Sequence, residues 1–176
     1  MSRLTPAVSE SDHRAGPDDA PVTLVEYGDY ECPHCGGAYP IVREVQRRMG
    51  RGLRLVFRNF PLAEMHPHAV RAAEAAEAAA VQDKFWEMHD LLFEHQAALD
   101  DSDLMRYAKT LALDTGRVKE ELAAGTHAGR VRQDFRSGVR SGVNGTPTFF
   151  INGARHDGPW DLEALLEVLE RASRNL

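Results

Sequence analysis

The sequence predicts an α/β fold in which an all-helical insertion separates a βαβ half from a ββα half. Three observations predict it. First, "PVTLVEYGDY" and "LRLVFRNFPL" are short runs rich in β-branched and aromatic residues, and they flank "YPIVREVQRRMGRG", whose apolar spacing is helical. Second, the spacing stays helical from His66 to about Val143, with no fixed long repeat that would mark a solenoid. Third, "TFFINGARH" holds a strand, the hairpin signal Asn152-Gly153 and a returning strand, before the amphipathic "WDLEALLEVLERA".

Taken in order, residues 1–20 are rich in Pro, Asp, Ser and Gly and are expected to form a loosely attached, flexible arm. A strand follows from Pro21, then a helix closed by Gly50 and Gly52, then a second strand ended by Pro61. Strand, helix and strand in about forty residues make a βαβ unit. In the insertion, "HAVRAAEAAEAAAVQ" is an Ala-rich helix. "DKFWEMHDLLFEHQ" places Phe85, Trp86, His89, Leu92 and Phe93 at spacings expected of a core face. "DSDLMRYAKTLAL" is expected to be capped by Asp101 or Ser102, and "DTGRVKEELAAG" to end at Gly125. "HAGRVRQDFRSGVRSGV" is the fifth helix. The domains are therefore the arm 1–20, an α/β domain of 21–65 and 144–176, and the helical insertion 66–143.

The 176 residues suit one well-buried domain, and 43% hydrophobic with 27% charged residues is an ordinary globular balance. A net charge of -6 argues against nucleic acid as a partner. Arg130, Arg132, Arg136 and Arg140 read as one solvated helix face. No apolar run long enough for a signal peptide follows the first basic residue, and none could span a membrane, so a cytoplasmic location is expected. A removed leader would instead place the protein outside the cytoplasm. With no evident dimerisation segment, a monomer is expected. No phosphate-binding glycine fingerprint is present, so no organic cofactor is expected.

The chain contains two cysteines, Cys32 and Cys35, with Pro33 and His34 between them. A bridge closing so small a loop removes little entropy from the unfolded chain, so chemistry explains the pair better than stability. Pro33 suits the first helical turn, which puts Cys32 at a helix N-terminus among unpaired N–H groups and the positive end of the dipole. His34 adds a donor, and a charge when protonated. That setting lowers a thiol pKa, whereas Cys35, one turn inward, should be less accessible. One alternative is half a zinc site completed by His66 and His68, although a second CxxC is missing. Another is a pair of inert buried cysteines.

"ECPHC" opening a helix, followed far downstream by "GTPTFFING", resembles the DsbA-like branch of the thioredoxin superfamily, over roughly Val22 to Ala172. The resemblance implies a thioredoxin fold and a thiol:disulfide oxidoreductase acting on protein thiols or disulfides, with no metal. The sequence leaves the redox partner open between glutathione, a thioredoxin system and a membrane oxidase. Cys32 matches the nucleophile and Cys35 the resolving thiol, while Pro33 and His34 match the dipeptide that tunes the potential. Pro147 matches a cis-proline facing the dithiol, and Thr146 a position whose backbone pairs with extended substrate. Glu26, six residues before Cys32, matches a buried acid that helps move the Cys35 proton; the plain alternative is a surface glutamate. Pro40 matches a helix kink. Other enzymes share the fold, glutathione-dependent transferases and isomerases among them. A zinc-binding or interaction module is the remaining alternative.

Overall fold

The computed structural model describes residues 2–174; Met1, Asn175 and Leu176, at the outer ends of the expected arm and α/β domain, lie outside the described residues. The fold is α/β, and the described residues form five strands in one sheet and seven α-helices. The chain divides into two compact units. One contains the residues up to Gly28, Gly37–Arg58 and those from Arg136 on, and the other contains Asp29–Gly36 and Asn59–Phe135.

The strands are β1 (His13–Ala15), β2 (Val22–Gly28), β3 (Leu53–Asn59), β4 (Thr148–Ile151) and β5 (Ala154–His156), in the sheet order β1-β3-β2-β4-β5. Helix α1 (Pro33–Met49) connects the neighbours β2 and β3. Strand β2 runs antiparallel to β4, with Glu26 opposite Phe149 and Tyr27 opposite Thr148. Asn152 and Gly153 both take positive φ, 48° and 79°, the two left-handed residues that a tight hairpin requires. Asn152 also fastens the start of β2, its Oδ1 accepting from Thr23 N at 2.8 Å. Leu24, Tyr27, Phe57, Phe149 and Phe150 are buried in this unit, as are Leu165 and Leu169 of the C-terminal α7 (Leu162–Arg174).

The N-terminal residues differ from expectation. Residues 13–15 form the edge strand β1, antiparallel to β3, and Leu4 N donates to Gly153 O at 2.9 Å. The reason is Arg58, a buried cation in β3. It donates to both carboxylate oxygens of Asp12 at 2.8 and 3.0 Å, to Pro6 O at 3.1 Å and to Tyr27 Oη at 2.9 Å. A buried guanidinium needs such partners, and they come from the segment whose composition reads as loose.

The second unit carries α2 (Ala69–Ala80), α3 (Phe85–Glu94), α4 (Asp101–Thr110), α5 (Thr115–Ala124) and the start of α6 (Ala128–Arg140). The alanines of α2 let α3 and α5 approach closely, and Ala72, Ala75, Ala76 and Ala79 are fully buried. Phe85, His89, Leu92 and Phe93 are buried as expected, whereas Trp86 is only half-buried. The cap of α4 is Asp100 rather than Asp101 or Ser102, its N–H donating to Asp103 in a capping box. Gly125 ends α5 at a φ of 63°. Asn59 Nδ2 bridges two buried carboxylates, Glu77 at 2.9 Å and Asp134 at 3.0 Å. Burial holds the Asp134 carboxyl above its ordinary range despite these bonds. Among the described residues, no helix is long and apolar enough to cross a membrane.

Candidate active site around the dithiol

Cys32 stands immediately before α1, and Pro33 is the first helical residue. Gly36 N donates to Cys32 O at 3.0 Å, the first bond of the helix, so Cys32 stands at the positive end of the α1 dipole. Pro33 and His34 are exposed. The two cysteines are not, at 0% exposure for Cys35 and 3% for Cys32, so access to sulfur is the scarce quantity in this site.

The loop before the helix is built around Asp29, a residue that sequence reasoning did not single out. Its side chain is fully buried and accepts three hydrogen bonds, from Glu31 N at 2.8 Å, Leu62 N at 2.9 Å and His66 Nδ1 at 2.7 Å. Its backbone joins both cysteines, with Asp29 N donating to Cys35 Sγ at 3.5 Å and Cys32 N donating to Asp29 O at 3.1 Å. Two residues on, Glu31 accepts from His68 Nδ1 at 2.7 Å and from His68 N at 2.6 Å. The histidines weighed as zinc ligands are thus each engaged by a carboxylate of the dithiol loop. Among the described residues, no group of three or more His, Cys, Asp or Glu side chains is placed to hold a metal ion.

A second unforeseen residue is Gln96, just beyond α3. Its Nε2 donates to Tyr30 O at 2.8 Å and Cys32 O at 2.9 Å. Gly36 leaves it room, since a Cβ there would stand 2.0 Å from Gln96 Oε1. Tyr30 is anchored beneath by His89, Oη to Nδ1 at 3.0 Å, and by the Phe93 ring at 4.8 Å between centroids. The signal available in advance was weak: a polar residue after an aromatic helix says nothing about which carbonyls it reaches.

The other expected site residues lie in the sheet unit. Glu26 is buried in β2, not at the surface. Burial pushes its carboxyl up from 4.5 to about 8, and its Oε1 has no hydrogen-bond partner among the described residues. Thr146 and Pro147 are half-buried and immediately precede β4, the strand whose Phe149 is opposite Glu26. The Thr146–Pro147 bond is cis, as is Thr5–Pro6. Cys32, Pro33, His34 and Cys35 therefore belong to one unit, and Glu26, Thr146 and Pro147 to the other.

A family model described as thioredoxin matches residues 8–171, nearly the whole chain. The chain belongs to the thioredoxin family. Within that family it is similar to a thioredoxin-like oxidoreductase from Silicibacter pomeroyi, at 27% identity and a TM-score of 0.82 over 94% of each chain. Wolbachia pipientis alpha-DsbA1 superposes with a TM-score of 0.84 over 99% of this chain and 97% of that one; at 18% identity the likeness is one of fold. Among curated proteins, this thioredoxin-family chain is 53% identical to part of the "Na(+)/H(+) antiporter NhaA 3" of Salinispora tropica, over 162 residues. That match takes in 92% of this chain and 25% of the antiporter, so the chain spans about a quarter of the length of such relatives. The DsbA-like thioredoxin fold and its paired cysteines support thiol–disulfide chemistry.

Proposed function

We propose that the protein is a thiol–disulfide oxidoreductase exchanging disulfides with protein substrates through Cys32 and Cys35. One observation carries this: the two cysteines lie at the N-terminal turn of α1, in a DsbA-like thioredoxin fold, with backbone N–H groups directed at both the loop and the sulfur. In the oxidising direction a substrate thiolate attacks Cys32 of the disulfide, forming a mixed disulfide and releasing Cys35 as a thiolate, which takes up a proton. A second substrate thiolate then displaces Cys32, leaving an oxidised substrate and a reduced dithiol. In the reducing direction Cys32 attacks and Cys35 resolves, so two electrons and two protons pass to the substrate.

Pro33 and His34 tune the couple, and Thr146 with Pro147 receives an extended substrate segment. Glu26 takes the part of the acid that the resemblance assigns to it, with burial pushing its carboxyl up to about 8. In a glutathione-reduced cytoplasm such a couple works as a reductase or isomerase, and in an oxidising compartment as a dithiol oxidase. The test is exchange with a fluorescent dithiol peptide. Cys32→Ser is expected to lower the rate more than about a thousandfold, and Cys35→Ser to stop at a trappable mixed disulfide. Turnover that survives Cys32→Ser would refute the assignment.

The 53% identity to part of an antiporter favours a second reading, a redox module that acts with a Na+/H+ antiporter. Reconstituted antiporter whose exchange rate is unchanged by the oxidised or reduced module would count against it.

A further inference from the structure

The dithiol loop contains an electrostatic conflict. Asp29 and Glu31 precede Cys32 by three residues and one, and a nearby carboxylate disfavours a second negative charge on sulfur. Asp29 cannot move away, because its buried carboxylate holds the loop through Glu31 N and Leu62 N. Yet exchange requires Cys32 to be an anion, as nucleophile in one direction and as leaving group in the other.

The segment His66-Pro67-His68 meets each carboxylate with an imidazole. His66 Nδ1 lies 2.7 Å from Asp29 Oδ2, and His68 Nδ1 lies 2.7 Å from Glu31 Oε1. Leu62 O accepts from both Met65 N and His66 N, and Leu62 N is bound to Asp29, so the segment is pinned to the loop it serves. His66 is the more enclosed of the two, with its side chain 14% exposed against 43% for His68. Resting on the oxidoreductase reading, we propose that His66-Pro67-His68 is the charge-setting element of the dithiol: His66 foremost, with His68 in support, offsets Asp29 and Glu31 so that Cys32 can ionise. Although burial works against the charged ring, Asp29, Cys32 and Glu31 together hold His66 above its ordinary range. His66 is thus a positioning residue of the dithiol; it acts through charge and through Asp29.

The test is the absorbance of the Cys32 thiolate across pH in a Cys35→Ser chain, paired with glutathione equilibration of the intact dithiol. With H66Q the Cys32 midpoint is expected to rise about one unit, tenfold less thiolate below it. The dithiol equilibrium should shift about tenfold toward the disulfide, roughly 30 mV. H66K keeps a charge and is expected to restore most of the ionisation. A folded H66Q chain within twofold of wild type in both measurements overturns the proposal. If H66Q does not fold, H66K decides: a midpoint near wild type supports the charge role, and one raised tenfold refutes it. The oxidoreductase reading fails differently, by a wild-type chain that forms no reversible disulfide. The thiolate titration still reads the His66 effect in that case.

Discussion

The end of strand β2 and the loop that follows it treat a buried carboxylate in opposite ways. Glu26 and Asp29 are three residues apart, and both are almost fully buried. In the strand, Glu26 is buried with its Oε1 unpartnered among the described residues, so burial dominates and favours the neutral acid. In the loop, Asp29 accepts three hydrogen bonds and serves as the post on which the turn is wound. Sheet geometry explains the contrast. The backbone donors of a central strand are spent on neighbouring strands, whereas a loop's N–H groups are free to converge on a side chain. A carboxyl in the strand is available to hold a proton; one in the loop is available to hold a shape.

Replacing Glu26 tests the first half of this contrast and carries the largest expected effect. With a folded value of about 8 against 4.5 for the free group, the stability supplied by the neutral carboxyl is whole below pH 4.5 and lost as pH rises to about 8. E26Q should match wild type within about 1 kcal/mol near pH 4.5 and exceed it by about 3 kcal/mol at pH 7, in urea unfolding of the reduced chain. A gap that does not widen with pH would mean that the strand carboxyl is not neutral. D29N tests the second half. Losing part of a three-bond acceptor set should cost about 2 kcal/mol, seen as a lowered urea midpoint. Stability equal to wild type would break the comparison. H68Q is the smallest. The ring is half-exposed and its partner Asp100 is well exposed, so solvent screening should keep the loss under about 1 kcal/mol. A larger loss would move Glu31 into the class of Asp29.

The fold was legible in the sequence where its signals are local. Asn152-Gly153 demanded a hairpin, Gly125 closed a helix with a left-handed residue, and the leucines of α7 marked one face. The dithiol was legible for the same reason, since Pro33 beside Cys32 encodes a helix start. What could not be seen depends on pairings across long stretches of chain. Arg58 finds Asp12 46 positions away and thereby turns a polar arm into an edge strand. His66 finds Asp29 37 positions away. Neither pattern of residues distinguishes a satisfied buried ion from a solvated one, because burial is a property of the folded neighbourhood.

Gln96 gives the dithiol a dependence on timing. Its amide is the donor to Tyr30 O and Cys32 O, and Gly36 is the only residue type that leaves the amide its place. The first turn of α1 is thus finished by a side chain that a ribosome delivers more than sixty residues later. A nascent chain carrying both thiols but not yet Gln96 lacks the clamp that shapes them. The turn that carries the two cysteines therefore reaches its described form only once the segment through Gln96 has folded against it.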